Sequence, residues 1–211
     1  MNKKLHKEVI SEKLNSLLES INSKPSFEDF YLVGGTALAL FLGHRKSIDL
    51  DFFSQNEFTT SLTHNIKEHY KVISLNRNSI ELEIKGAKIL FLYFAFPLYS
   101  EKLVFDNIRF ASPIDIGLMK LLSLQGRTTK KDIVDLFFID KEILDLSELL
   151  DVFENHYPKE SFNSYDSLKN LLDKSFLYGQ PDPNMIKQCE FKECLSVVSK
   201  KVSKHIRKLV F

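Results

Sequence analysis

Cysteine is almost absent from this sequence: Cys189 and Cys194 are the two in 211 residues. That number excludes a disulfide framework as the source of stability. Five residues apart in a helical pattern, the two thiols are expected on different faces, as the reduced thiols of a cytoplasmic protein and not as a disulfide or a zinc pair. Long apolar runs are lacking too. No stretch reaches the roughly 20 apolar residues of a membrane span, and no run of signal-peptide length follows the residues from Met1 to Glu8. A protein without a membrane partner is expected. Charge of one sign is also missing, since the formal net charge is +1. A balance that small neither demands nor forbids nucleic acid, because a total conceals local patches. What the sequence does have is 44% hydrophobic and 27% charged residues, enough to bury a core as one domain or two small ones and too apolar for disorder.

The chemistry gathers in one stretch, Leu32 to Phe53. An apolar strand-like run from Phe30 to Val33 breaks at Gly34-Gly35-Thr36 and continues as an apolar helix-like segment to Gly43. A basic turn, His44-Arg45-Lys46-Ser47, leads into Ile48-Asp49-Leu50-Asp51-Phe52-Phe53. Two residues without Cβ between a strand and a helix bring backbone N–H groups close to a ligand, and the helix N-terminus favours negative charge, so a polyphosphate suits the corner. Asp49 and Asp51 are two apart in a strand-like run and would share a face, where a divalent cation relieves their repulsion. Alone, a Gly-Gly pair is a turn and an Asp-x-Asp pair a solvated strand edge. Their conjunction, with the helix and basic turn between them, points to nucleotide and metal.

The run GGTALALFLGHRKSIDLDFF resembles the first motif of the AbiEii/AbiGii toxin-type nucleotidyltransferases, a branch of the DNA polymerase β-like superfamily. The resemblance implies an α/β nucleotidyltransferase fold, a small mixed sheet flanked by helices, followed by a helical C-terminal region. It implies Gly34, Gly35 and Thr36 for the triphosphate and Asp49 and Asp51 for Mg2+ or Mn2+. It also implies an RNA, such as tRNA, or a protein as acceptor, and an antitoxin protein as partner.

Along the rest of the chain, the apolar residues from Leu5 to Ile21 have helical spacing and predict one packing helix, broken at Pro25. Ile80, Leu82 and Ile84 alternate with Glu81, Glu83 and Lys85, and Lys85-Gly86 marks a hairpin turn into a second strand from Ile89 to Phe96. That second strand is where the family often carries a third metal-binding carboxylate; aligned by Gly86 and Pro97-Leu98, the position is Leu90. Three readings follow: a reduced metal shell of Asp49 and Asp51, a ligand supplied by Glu81 or Glu83, or nucleotide binding without turnover. A strand pair is expected around Asp106-Asn107, then a helix capped by Ser112 with Pro113 at its first position and Asp115 in its first turn.

In that helix Lys120 is the one base among apolar residues, so it either snorkels to solvent or needs an anion, and the family comparison favours a triphosphate. Gly126 stops the helix and Thr128 or Thr129 caps the next, with Asp132 as a capping-box acid. The same run resembles the family's second motif through Arg127, Lys131, Asp132 and Asp135. Arg127 and Lys131 are placed for phosphates or a nucleic-acid acceptor, and Asp135 is expected to pair with Lys131 across one turn. The chain from Lys141 is helical in pattern, and SVVSKKVSKHIRK near its end reads as a solvated terminal helix or as a phosphate-binding one. The domain division expected is 1–110 for the nucleotidyltransferase core with its N-terminal helix and 111–211 for a helical domain. The function expected is magnesium-dependent transfer of an NMP from an NTP to an RNA or protein hydroxyl, in a toxin-antitoxin or phage-defence setting. Gly34, Gly35, Thr36, Arg45, Lys120, Arg127 and Lys131 would contact substrate, and Asp49 and Asp51 would carry catalysis and metal. The competing expectation is a catalytically inactive nucleotide- or nucleic-acid-binding protein of the same fold.

Overall fold

A computed structural model describes residues 4–158 and 163–210. The stripe expected as one helix from Leu5 to Ile21 is two pieces: a 3-10 turn at Lys7–Val9 and helix α1, Glu12–Asn22. Ser11 divides them, because its hydroxyl accepts the Leu14 N–H at 3.2 Å and so caps a new helix. After a 3-10 turn at Pro25–Phe27 come β1 (Tyr31–Val33), α2 (Gly34–Leu42), β2 (Leu50–Ser54) and α3 (Thr60–His69). Then follow β3 (Lys71–Leu75), β4 (Ser79–Ile84), β5 (Ala87–Tyr93), β6 (Leu103–Phe105) and β7 (Ile108–Phe110). The seven strands form one sheet in the order β3-β4-β5-β2-β1-β7-β6, parallel at β2/β5 and β1/β7 and antiparallel elsewhere.

Local chemistry explains both expected hairpins. Lys85 and Gly86 (φ 52° and 75°), and Asp106 and Asn107 (φ 49° and 61°), are two-residue turns of positive φ, whose twist matches that of the flanking strands. Strand alternation then sorts the sheet's faces. Leu50, Phe52, Ile80, Leu82, Ile89 and Phe91 are buried, whereas Asp51, Phe53, Glu81 and Leu90 on the other face are half-buried. Under the buried face, Phe91 stacks between Phe27 (centroids 4.8 Å apart) and Phe52 (5.3 Å), with Phe30 edge-on at 4.9 Å.

The chain divides by its contacts into Met1–Ser112, which holds the sheet, and Pro113–Phe211. The second unit contains α4 (Pro113–Ser123), α5 (Lys130–Glu142), α6 (Leu146–His156), α7 (Ser164–Leu172), a 3-10 turn at Lys174–Leu177 and α8 (Phe191–Val210). Thr129 and Asp132 form the capping box at the start of α5: Thr129 N–H donates to the Asp132 carboxylate at 2.9 Å, and Asp132 N–H donates to the Thr129 hydroxyl at 3.2 Å. Lys201 of α8 lies 2.6 Å from both Asp140 and Asp145. These acids also accept the N–H groups of Leu146 and Ser147, so one ammonium ties the end of α5 to the start of α6.

One expectation fails here. Cys189 precedes α8 and is not on a separate face of it, and its Sγ lies 3.3 Å from that of Cys194, both thiols being free. Cys189 lies outside the helix, so helical spacing does not govern where its thiol falls. Burial first, then the Cys189 thiol, pushes Cys194 up to about 12. No helix among the described residues is long and apolar enough to cross a membrane.

The hydrogen bond from Lys201, followed by the Ser147 N–H, holds the Asp145 carboxyl down to about 2 from an ordinary 3.8. A depressed folded-state value means that the stabilisation is complete above the ordinary value and is lost as the pH falls through about 2. Lys201→Met should therefore be less stable than the unsubstituted protein at neutral pH in urea denaturation. The difference should narrow as the pH drops through that window; a difference independent of pH would show that the ion pair contributes nothing.

Candidate functional site

α2 is almost wholly apolar, and Ala37, Leu38, Ala39, Leu40 and Leu42 are buried. Burial fixes its axis, and its N-terminus follows directly from β1 with Val33 as N-cap and no capping side chain. Its first turn therefore has backbone N–H groups with no side-chain cap and carries the positive end of the helix dipole. The two glycines there are required by what lies against them. Gly34 has φ +68°, and a Cβ on it would collide with the Asp51 carboxylate, whose Cγ would be 3.2 Å away. A Cβ on Gly35 would strike the Arg45 guanidinium, with Cζ at 3.3 Å. Consecutive backbone positions at one helix N-terminus thus carry a carboxylate and a guanidinium in close packing.

Asp51 reaches that position through strand pairing, opposite Val33 across β1/β2. Asp49 lies one residue before β2 and is half-buried, like Asp51 and Phe53. Alternation with buried Leu50 and Phe52 puts both acids on the sheet's more open side. Thr36 sets the position of Asp49: the hydroxyl of this residue, only 1% exposed, donates to the Asp49 carbonyl and lies 2.7 Å from the Ser47 hydroxyl.

The basic turn is not a solvent loop. His44 and Arg45 are buried, and Arg45 Nη1 donates to the Lys46 carbonyl at 3.1 Å. The chain's N-terminal segment packs on this turn. His6 N–H donates to the Leu40 carbonyl at 2.8 Å, Ser47 N–H donates to the Val9 carbonyl at 3.0 Å, Lys46 Nζ bonds the Glu8 carbonyl, and the His6 ring lies against Gly43, the left-handed C-cap of α2. Nothing in the sequence signals that buttress, since His6 and Val9 read only as helix residues.

Leu90 stands directly beside Asp51 in the parallel β2/β5 register, and Glu81 pairs with Leu90 in turn. Val33, Asp51, Leu90 and Glu81 therefore form one row on one face, with neighbours about 4.8 Å apart. Glu81 is two strands from Asp51, and its carboxylate is 3.6 Å from Lys88 Nζ. Among the described residues no group of three or more His, Cys, Asp and Glu is arranged to hold a metal ion. Asp49 and Asp51 offer the hard oxygens that magnesium selects, and a pair suffices where substrate phosphates and water complete the shell.

The remaining predicted substrate contacts lie in the second unit. Lys120 does have an anion, and it is protein: its Nζ lies 2.6 Å from Asp135 and 3.1 Å from Asp132. Asp135 is fully buried and pairs with Lys120, not with Lys131 as expected, because it points inward from α5 while Lys131 is exposed. Arg127 is exposed as well.

Comparison with known proteins supplies four findings. Residues 16–92 match the family model of the nucleotidyl transferase AbiEii toxin, type IV TA system. An uncharacterized protein of Aquifex aeolicus (strain VF5) is 32% identical over 169 residues, spanning 76% of this chain and 79% of that one. Among solved structures, a putative nucleotidyltransferase from H. pylori superposes with a TM-score of 0.52 at 22% identity, covering 94% of this chain and 97% of its own. MenT4, a nucleotidyltransferase toxin from Mycobacterium tuberculosis H37Rv, superposes with a TM-score of 0.55 at 14% identity, covering 91% and 89%. At these identities the superpositions establish a shared fold.

Gly35→Ala tests the close packing without a backbone penalty, because the positive φ belongs to Gly34. It should displace Arg45 and weaken triphosphate binding about tenfold, the equivalent of one lost charge-assisted hydrogen bond, as isothermal titration with a non-hydrolysable NTP would show. Thr36→Val should cost about 1 kcal/mol in urea denaturation, the net value of its hydrogen bond to Asp49.

Proposed function

Because this chain belongs to the AbiEii nucleotidyltransferase toxin family, with its α/β nucleotidyltransferase fold, we propose that it transfers a nucleoside monophosphate from an NTP to a hydroxyl of RNA or protein. One observation carries the reading: Asp51 and Arg45 pack against consecutive glycines at the N-terminus of α2. That corner combines a dipole and N–H groups for phosphate oxygens, a guanidinium for their charge, and a carboxylate for the cation that accompanies a triphosphate.

Gly34 and Gly35 leave the backbone bare so that phosphate can approach it. Arg45, held by burial and by its bond to Lys46, presents a fixed charge that pays little entropy on binding. Thr36 holds the Asp49 backbone, which keeps Asp49 in register with Asp51. These two carboxylates would hold Mg2+ or Mn2+. Bound there, the ion supplies charge neutralisation on the transferred phosphoryl group and on the departing pyrophosphate. Arg127 and Lys131 are exposed in the second unit and are proposed as further anion contacts; Lys120 acts by holding Asp132 and Asp135. An antitoxin protein is the partner that the family suggests.

A second reading rests on Leu90. An apolar side chain beside Asp51 leaves the cation with two protein carboxylates and favours a protein that binds nucleotide without turnover. Incubation with α-labelled NTPs, magnesium and total RNA separates the two. Label should appear in RNA or protein, and Asp49→Ala with Asp51→Ala should reduce it by about 10²- to 10⁴-fold, the kinetic equivalent of several kcal/mol. Label that never transfers while nucleotide still binds would establish the second reading. Leu90→Asp should bind Mn2+ without nucleotide, detected by loss of the free-ion paramagnetic resonance signal, where the natural chain needs nucleotide to do so.

A further inference from the structure

The last helix separates its charges by face. From Cys194 to the end, the chain carries Lys200, Lys201, Lys204, Arg207 and Lys208 and no Asp or Glu. Cys194, Val198, Val202 and His205 are buried on one side of α8, and Lys201 beside them is bound by Asp140 and Asp145. The opposite side exposes Lys192, Lys200, Lys204 and Arg207, with a single acid, Glu193, exposed among them in the first turn. Among the described residues none of these four has an ion-pair partner, and Lys208 at their edge is 3.9 Å from Asp151. Several other bases of the same unit are matched, Lys120 with Asp132 and Asp135, Lys130 with Asp182 and Lys187 with Glu142, while Arg127 and Lys131 are exposed and have no ion pair among the described residues. What sets the α8 stripe apart is that its cations lie on one face of one helix.

We infer that the exposed face of α8, through Lys192, Lys200, Lys204 and Arg207, docks the phosphodiester backbone of a nucleic acid strand. At 1.5 Å per residue the stripe from Lys192 to Arg207 is about 22 Å long, the length of several nucleotides, with Lys200, Lys204 and Arg207 about 4 to 6 Å apart along the axis and Lys192 about 12 Å before them. A dipole-compensating role explains cations in the last turn only, and Lys192 and Lys200 lie well before it. A membrane surface fits less well, because a helix that binds lipid inserts an apolar face and the apolar face of α8 is spent on the unit's own core. Joined to the nucleotide-transfer reading, on which this last step alone rests, the stripe selects nucleic acid over protein as the acceptor.

The test is fluorescence anisotropy of the full chain with labelled single-stranded RNA and with DNA of the same sequence, across a salt series and without NTP. Binding should weaken with salt with a log–log slope of about −3, at about 0.7 per neutralised phosphate for four contacts. The combination Lys192→Gln, Lys200→Gln, Lys204→Gln and Arg207→Gln should lower affinity about tenfold or more at low salt and flatten the slope. Lys200→Arg with Lys204→Arg should keep both. If the fourfold variant loses its circular dichroism spectrum, the single changes Lys200→Gln and Lys204→Gln answer instead, each reducing the slope by about 0.7. Undiminished binding by these variants overturns the proposal, as does an absence of RNA and DNA binding. So does stripe-dependent binding confined to vesicles of anionic phospholipid. Stripe-dependent binding without any label transfer would sink the transfer reading and leave this one standing; preference for RNA over DNA identifies the acceptor class.

Discussion

The absence of side chains at two consecutive positions is the constraint on which the first unit's site depends. Gly34 and Gly35 open α2 with Asp51 against one and Arg45 against the other, and neither position has room for a single added carbon. Opposite charges are thereby brought to the same helix end, where the dipole favours an anion and a guanidinium reinforces it. Everything around the corner holds it in place. The buried face of α2 fixes the axis, the β1/β2 register delivers Asp51, Thr36 holds the Asp49 carbonyl, and the segment from His6 to Val9 packs on the basic turn. Arg45 is buried for that reason, and a buried arginine is pre-organised in a way that a solvent-facing loop residue is not.

The sheet divides labour between its faces. The side filled by Phe27, Phe52 and Phe91 is a packed aromatic layer, and it supplies stability without polar groups. The other side holds the row Val33, Asp51, Leu90 and Glu81, in which an apolar residue separates two acids. A leucine there leaves Asp51 without a second carboxylate from the neighbouring strand. In the second unit the same economy applies to charge: Lys120 and Lys201 each bridge two carboxylates and stitch helices together, so their charges are consumed internally. The outer face of α8, like Arg127 and Lys131, carries cations that are not matched in this way among the described residues.

Features closed within a few residues were legible from sequence. The glycine corner, the Lys85-Gly86 and Asp106-Asn107 turns, the Thr129–Asp132 capping box and the α/β character all follow from local backbone preference and hydrophobic period, which act between near neighbours. Residues that share a helix turn or a tight hairpin meet whatever the rest of the chain does.

Partners distant in sequence needed the tertiary structure, because local pattern does not encode which strand or helix arrives alongside. Leu90 falls beside Asp51 only through parallel pairing of β2 with β5, and Lys120 finds Asp135 because α4 packs on α5, displacing the one-turn pairing with Lys131. His6 supports Gly43 because the segment from His6 to Val9 packs against the end of α2, and even the near neighbours Cys189 and Cys194 meet only because Cys189 lies outside α8. The sequence by itself determined that this chain has a glycine corner between a strand and a helix and two acids to go with it. Long-range packing decided which groups crowd that corner, and which of the chain's cations are already neutralised and which still face solvent.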